Sequence, residues 1–588
     1  MSKKIKLPYI YEIIIILLVS IFPRSKEQDG KGIGAYLKVP DSSNLQYRLG
    51  NGMALWGNGW DDSKASILGS MCGYDSMRKK MPEYHFINWG YGIEVGDCQT
   101  NTKYGLLDVV GFLCAPTEAH SSNSKDKEHY KPLNLYEDIW LEDGKVNPNN
   151  YWAYYVNETV TIYKDYIKIW ETWNEPDYTT NYGAIGDWEK NPPNPDHLTS
   201  WHGTIFEYIR LLRITYEVAK KADPECWVAT GGLGYTSFLD GIMRYTDNPT
   251  DGSVTKDYPA YGGAYFDCDA YHQYPKYGTS DLETGKSYNG KGSDSLAKKV
   301  VILKKSHHYI IKKYGFGSQY PDKIFVNTET GVTSKKTDNV GGDLERRNWI
   351  LKLALYAIEY DVKQIHILNL VDDNGFGDYT SVGTFSSFEE AYKKLKDSSR
   401  GRLLLKKINL GKFVFESTKT NDLREKLPTN VTGIVLKRKF PKEENETHYG
   451  EYIYSIWRYC EEEETSGEVE VNLNSLDLPG NPLFIDWLQN EKNISKSDII
   501  SVSSTPIFLI GNKESDSSGE NKEESFISGE NKESNTSGFV TFLKVSGIII
   551  LILILIFIVG IIGLYCYKRF VKKKDIPLDK NVMMRLLK

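Results

Sequence analysis

The chain reads as an α/β protein built on a parallel sheet and followed by a smaller all-strand domain. Two patterns carry that reading. From about residue 67 to 406, short β-like runs alternate with amphipathic helical stretches. Alternation over that length implies a parallel sheet, either doubly wound or closed as a barrel. From about 431 to 510 strands alone remain, which fits a small antiparallel β-sandwich.

The elements follow in order. Ile167-Lys168-Ile169-Trp170 is predicted as a strand, and a helix over 206–222 follows it, with Phe206, Ile209, Leu212 and Tyr216 at helical spacing. Trp227-Val228-Ala229 is the next strand, closed by Gly231-Gly232, and 265–271 is another. A helix over 296–314 leads to strand Ile324-Phe325-Val326, and a helix over 349–360 leads to Gln364-Ile365-His366-Ile367. In the C-terminal part, Val469, Val471 and Leu473 alternate with Glu468, Glu470 and Asn472, the period of a half-buried strand. Runs at 453–457 and 507–510 supply further strands.

Composition narrows the function classes. The 588 residues exceed one average domain, and 40% hydrophobic content supplies a large core. A net charge of -6 offers no electrostatic attraction for nucleic acid, so no such partner is expected. Aromatic residues reach 13%, with 41 Tyr and 13 Trp. Beyond core packing, such rings offer flat faces on which sugars stack. The seven cysteines (72, 98, 114, 226, 268, 460 and 566) form no CxxC pair and no metal-ligand spacing, so neither a metal nor another cofactor is expected. An oxidising compartment would allow one or two disulfides, whose pairing the sequence leaves open.

Both ends carry membrane signals. Lys3, Lys4 and Lys6 precede a short apolar stretch, Ile13 to Phe22, and 1–25 is predicted as a signal peptide, with 26–66 an N-terminal extension. Residues 545–567 form an uncharged apolar run long enough to cross a bilayer as a helix. Lys568, Arg569, Lys572, Lys573 and Lys574 follow it, so 568–588 is expected to be a cytoplasmic tail. The chain is thus expected to be a single-pass type I membrane protein, with its main body extracellular or lumenal. Sequons at Asn157, Asn430, Asn445, Asn493 and Asn535 agree with that topology. The Asn-Lys-Glu repeats within 511–538 are too polar to fold and predict a flexible stalk.

The sharpest motif is Trp170-Glu171-Thr172-Trp173-Asn174-Glu175-Pro176 at the end of a predicted strand. A second strand ends in Asn327-Thr328-Glu329-Thr330-Gly331, about 150 residues later. On these motifs the sequence resembles the clan of retaining (β/α)8 glycosidases, and within it most the β-xylosidase and α-iduronidase family or neighbouring endoglycanases, over residues 65 to 410. The resemblance implies that the parallel sheet is a TIM barrel, placed at 67–425, and the strands-only segment after it is placed as the β-sandwich at 426–510. It implies Glu175 as the acid/base and Glu329 as the nucleophile of a double displacement on a carbohydrate substrate. Glycosidic cleavage needs both a proton for the leaving oxygen and a nucleophile at the anomeric carbon. Glu175 is expected to stay protonated near neutral pH, its pKa raised by the second carboxylate.

The same resemblance assigns supporting positions. Asn174 would contact the sugar 2-hydroxyl. Arg78 falls where the clan keeps a strand-two arginine against the nucleophile. His272 and Tyr274, in Tyr271-His272-Gln273-Tyr274-Pro275, match its imidazole and aromatic positions after strand six. Trp173 is a candidate sugar platform from the motif itself, although it and Trp170 read equally well as core. One departure stands out: the clan's strand eight usually ends in tryptophan, and Ile367-Leu368-Asn369-Leu370 has none. Asp372-Asp373-Asn374 and Asp378 lack EF-hand spacing and read as a solvated loop. A non-catalytic glycan-binding or adhesion protein on the same fold is the alternative. The presence of both carboxylates favours an enzyme.

Overall fold

The computed structural model describes residues 39–52, 62–336, 340–368, 393, 395–442, 446, 450–465, 467–478 and 480–511. The expected leader, the membrane span at 545–567, the tail and all of the stalk beyond Gly511 lie outside these residues. Among the described residues no helix is long and apolar enough to cross a membrane.

Eight parallel strands close into a barrel. They are β1 (Arg48–Asn51), β2 (Ser76–Pro82), β3 (Val109–Cys114), β4 (Ile167–Thr172), β5 (Trp227–Ala229), β6 (Cys268–His272), β7 (Ile324–Thr330) and β8 (Gln364–Ile367). Each pairs with its neighbours in chain order, and β1 closes the ring against β8, Arg48 opposite Gln364. Closure decides between the two sheet forms that alternation left open. The helix that follows β4 shows why the local sequence complies. It spans Ile205–Ala222, and its first turn is fixed by a capping box: Glu207 N donates to Thr204 Oγ1 at 3.1 Å, and Thr204 N donates to Glu207 Oε2 at 2.8 Å. Its apolar face, including Ile209, Leu212 and Tyr216, is buried on the barrel.

Strand β1 lies inside the segment expected to be an N-terminal extension. Arg48-Leu49-Gly50-Asn51 carries one large apolar side chain and no alternation, so its local signal is weak. It is a strand because β2 and β8 flank it and take its backbone hydrogen bonds.

Inside the barrel, residues alternate inward. Val110, Ile169, Trp227, Cys268 and Val326 form an apolar layer. Against it the inward positions turn polar: Arg78 stands opposite Val110 on the neighbouring strand, and Glu171 opposite Ala229 of the same apolar cluster.

After the barrel comes a six-stranded sheet whose first strand in the chain is Phe413–Phe415. Period-two alternation gives the strand Val431–Arg438 two buried faces. Ile434 and Leu436 join the barrel core, while Val435 joins a separate core with Tyr454, Val471 and Val502. Val471 and Val502 come from a two-stranded ribbon pairing Val469–Asn472 with Ile499–Val502.

One carboxylate ties the sheet to the barrel. Asp294 opens the helix Ser293–Lys313 and is fully buried. It accepts from Lys352 Nζ at 2.7 Å and Tyr356 OH at 2.7 Å on the next barrel helix, Asp343–Glu359. From the sheet it accepts from Trp457 Nε1 at 2.8 Å and Cys460 N at 2.8 Å. Asn348 and Arg347 reinforce the seam through Ser504 and Thr505. Among the described residues all six cysteines are buried free thiols. Asn430 and Asn493 are exposed, whereas Asn157 is half-buried in a helix.

Removing Asp294 leaves the Lys352 ammonium buried without its counter-charge. Asp294→Ala is expected to destabilise the fold by about 3–5 kcal/mol. Urea denaturation reads the change, and a loss below about 1 kcal/mol would remove Asp294 as the tie between the domains.

Candidate active site

The polar layer at the barrel mouth is organised by Arg78, itself 1% exposed. Its guanidinium donates to Glu171 Oε2 through Nε at 2.6 Å, to Glu329 Oε2 through Nη1 at 3.3 Å and to Asn174 Oδ1 through Nη2 at 2.6 Å. Its other face lies 4.1 Å from the centre of the Phe112 ring. Burial disfavours the charge, but Glu171 and then Glu329 outweigh it, and the Arg78 pKa is raised. A guanidinium only donates, so Asn174 must turn its oxygen toward Arg78, which leaves the amide N–H groups for the cleft.

Glu175 and Glu329 reach the mouth from β4 and β7 by different devices. Beyond β4 the chain is strained: Trp173 and Glu175 have φ of 73° and 47°, in the left-handed region that costs a non-glycine residue about 1–3 kcal/mol each. Neighbouring strand ends hold the turn. Trp173 N donates to Leu113 O at 2.9 Å and Glu175 N to Gly231 O at 2.6 Å. The indole of Trp173 donates to Ser200 O at 2.6 Å and packs edge-on against Trp201. On β7 the device is a bulge. Tyr271 faces Asn327 but His272 faces Glu329, and Ile365 faces Asn327 while Ile367 faces Thr330. The extra residue lets the adjacent Thr328 and Glu329 both serve the site, which regular alternation forbids.

His272 joins the two halves. Its Nδ1 lies 2.8 Å from Glu175 Oε1, and its Nε2 lies 3.0 Å from Thr328 Oγ1. Thr328 in turn donates to Glu171 Oε1 at 2.8 Å. The imidazole fits only because residue 232 is glycine: a Cβ there would stand 2.3 Å from His272 Nε2, and Gly232 has φ 69°. Tyr274 donates its hydroxyl to Glu329 Oε1. Burial and the Glu329 charge push the Tyr274 phenol well above its ordinary pKa, so it remains a donor.

The electrostatics reverse one expectation. Burial pushes the Glu175 carboxyl up, but the hydrogen bond and charge of His272, with Arg78 behind them, pull it down, and the net direction is below the ordinary value. For His272, burial pushes down while Glu329 and the Glu175 hydrogen bond push up, and its pKa is raised. Both directions favour the charged forms of this 2.8 Å pair, imidazolium and carboxylate, over the neutral acid expected at Glu175. The correction arises because the imidazole stands nearer to Glu175 than the sequence could indicate.

A second correction concerns Trp173. It is 1% exposed and belongs to an aromatic cluster with Trp152 and Trp201, so it supports the turn from below and offers no face to a sugar. Arg78, Asn174, Glu175, His272, Tyr274 and Glu329 do converge. Sequence reasoning passed over three further members: Glu171, Thr328 and Asp177. Glu171 carried a usable signal, because an acid at an inward barrel position two residues beyond Ile169 needs a buried cation. Strand eight is described only to Leu368, and the 372–378 loop lies outside the described residues.

Donor atoms of Glu175, His272 and Glu329 lie within 4.8 Å of one another, close enough to share a cation. Both nitrogens of His272 are already committed, so coordination would break its bond to Glu175 or to Thr328.

The chain matches no protein-family model and no curated protein. Among solved structures it is similar to a family 39 glycoside hydrolase from Bacteroides cellulosilyticus WH2, at 16% identity and TM-score 0.48, covering 80% of this chain and 82% of the other. A family 30 subfamily 8 xylanase from Clostridium acetobutylicum follows at 11% identity and TM-score 0.43, covering 79% and 97%. A family 44 xyloglucanase from Paenibacillus polymyxa stands at 13% and TM-score 0.41, covering 79% and 96%. None of these three reaches a TM-score of 0.5, and the fold assignment rests on the closed barrel itself.

Asp177, two residues beyond Glu175, is buried and accepts from Gly234 N and Tyr235 N, both at 2.8 Å. Burial, with the Glu175 charge adding to it, outweighs those donors and raises its pKa from 3.8 to about 7. The native state thus holds this proton more tightly than the unfolded chain. Between those two values Asp177 makes stability fall as pH rises. Asp177→Asn keeps the acceptor and removes the titration, so its melting temperature is expected to improve relative to wild type between pH 4.5 and 7.5. A difference between the two melting curves that does not change with pH would show that the carboxyl is not perturbed.

Proposed function

We propose that the chain is a glycoside hydrolase that cleaves O-glycosidic bonds of a glycan by double displacement. One observation carries the reading: oxygens of Glu175 and Glu329 approach within 4.8 Å across the barrel mouth. Carboxyls about 5–5.5 Å apart suit retention, whereas inversion needs about 6.5–9.5 Å to admit a water between them.

The roles follow from the neighbours. Glu329 is the nucleophile, its two oxygens aimed by Tyr274 and Arg78. Glu175 is the acid/base. Its Oε1 faces His272, and the side chain is 28% exposed, so Oε2 is left for the glycosidic oxygen. Before that oxygen departs, the one proton of the pair passes from His272 Nδ1 to the Glu175 carboxylate; the neutral acid then gives it to the departing oxygen and is a carboxylate again, with His272 neutral. The glycosyl group passes to Glu329 as an ester, and the Glu329 charge that supported the imidazolium disappears. Deglycosylation reverses the traffic, with Glu175 drawing a proton from water. Counting Glu171, Glu175 and Glu329 as carboxylates against Arg78 and protonated His272, the site keeps one net negative charge where the oxocarbenium-like transition state turns positive.

The location belongs to the same proposal. The apolar run at 545–567 and the basic residues after it support a membrane anchor with the barrel on the extracellular or lumenal side.

A panel of aryl glycosides with the full chain in detergent tests the activity. The first product is expected to keep the anomeric configuration of the substrate by NMR. A 2-fluoro aryl glycoside is expected to trap a glycosyl-enzyme that peptide mapping places on Glu329. Glu175→Gln is expected to lose activity by on the order of 10²–10⁴ on substrates with poor leaving groups and far less on those with good ones. An inverted product, or a label on another carboxylate, defeats the assignment.

His272 sets the upper pH limit in this scheme, because the raised imidazole holds the working proton. In His272→Gln that proton must sit on Glu175 alone. The basic limb of kcat/KM is therefore expected at lower pH, with roughly tenfold less activity or worse at pH 7. A limb that stays in place would put the working proton elsewhere.

A further inference from the structure

A cavity of about 550 Å³ opens beside the site and extends away from it. Its lining begins at Glu175, His272 and Tyr274 and continues over the loops after β4, β5 and β6, but includes neither Glu329 nor Arg78. The sugar under attack must present its anomeric carbon to Glu329. Its leaving oxygen must face Glu175. A cavity that starts at the acid and departs from the nucleophile therefore lies on the leaving-group side.

Its walls have a consistent chemistry. Tyr178, Tyr182, Tyr235 and Tyr277 line it, with Gln273 and Asn289 between them. Tyr178, Tyr182 and Tyr277 are 43%, 63% and 59% exposed, large aromatic faces that the core does not use. Two are one turn from site residues: Tyr178 N donates to Glu175 O, and Tyr277 N to Tyr274 O, both at 3.0 Å. Tyr235 is fixed by Asp177 at its backbone and by the edge of Trp188 at its ring, with centroids 5.9 Å apart. Among the described residues that line the cavity there is no lysine or arginine; Lys276 stands just outside, its Nζ 4.8 Å from the centre of the Tyr277 ring. Two other basic groups, Lys80 paired with Glu128 and Lys127 over Tyr84, belong to the β2 and β3 side.

Resting on the proposed hydrolase activity, we infer that this cavity is a leaving-group subsite for an uncharged saccharide, stacked on Tyr182, Tyr277 and Tyr235. Tyrosine rings take the apolar faces of a pyranose, and amide side chains take its hydroxyls. The volume is within the range of ligand pockets. The acidic end at Glu175 and Asp177, and a described lining without lysine or arginine, disfavour a uronic acid or a sulfated sugar there, Lys276 being engaged on the Tyr277 ring. The substrate is therefore a glycan whose leaving portion is itself a neutral sugar.

The test separates this subsite from the activity it rests on. The α- and β-fluorides of glucose, xylose, galactose and mannose carry a leaving group too small to touch the tyrosines. The full chain is assayed on these, and then on the disaccharide matching whichever fluoride is turned over. The double variant Tyr182→Ala/Tyr277→Ala is expected to lower the disaccharide-to-fluoride ratio of kcat/KM at least tenfold. Tyr309→Ala, an exposed tyrosine outside the cavity, is expected to leave that ratio in place. The matching disaccharide with a uronic acid as its leaving residue is expected to be cleaved at least tenfold more slowly. Fluoride turnover with an unchanged ratio in the double variant, or with no disaccharide cleavage, overturns the subsite and spares the hydrolase. Faster cleavage of the acidic disaccharide overturns the neutral assignment. No turnover of any fluoride overturns both readings.

Discussion

A guanidinium with almost no access to water is the constraint on which the mouth of this barrel depends. Arg78 stands against an apolar layer, where an unpaired charge costs several kcal/mol. It is tolerated because three acceptors from two other strands and the turn beyond β4 converge on its planar fork. The dependence runs both ways. Glu171, wholly buried, needs Arg78 and Thr328 to justify its own charge. Asn174 takes its orientation, and Glu329 part of its aim, from the same cation. The polar layer is thus one network, and loss of any member strands the others.

Strain is the second cost of that arrangement. Placing Asn174 and Glu175 over the barrel requires two non-glycine residues in left-handed conformation. The turn persists because strand ends on either side accept its N–H groups and because a tryptophan cluster fills the space behind it. The bulge in β7 is the counterpart on the opposite wall. Both devices spend backbone regularity to aim a carboxyl, and both lie at the C-terminal ends of the strands, where loops are free to depart from barrel geometry.

The C-terminal sheet supports the barrel from outside. Its barrel-facing residues, Ile434, Leu436, Trp457 and Phe508, are continuous with the main core. Asp294 spans the seam with donors from both sides. A buried carboxylate satisfied by four donors fixes the docking register more sharply than apolar contact, which is non-directional.

Much of this was legible from residue order. Periodicity located β4, β5, the N-terminal part of β7, β8 and the helices between them, because a strand or helix that buries one face must repeat apolar residues at its own period. Glu175 and Glu329 were recognisable by their place at strand ends in motifs resembling a known clan. Local pattern failed at β1, whose four residues become a strand only between two partners, and at Trp173, whose aromatic face is as suited to a core as to a sugar.

What the sequence by itself determined is the alternation of elements, the two carboxylates and the polar positions around them. What only the tertiary structure decided is which of these touch. Closure of the sheet into a barrel, the bulge at Thr328 and the glycine that admits His272 set those distances. They put the imidazole against Glu175 and so reversed the direction in which that carboxyl's pKa moves. The physical reason is that a carboxyl's proton affinity depends on charges a few ångströms away in space, and here the nearest one is 97 residues away along the chain.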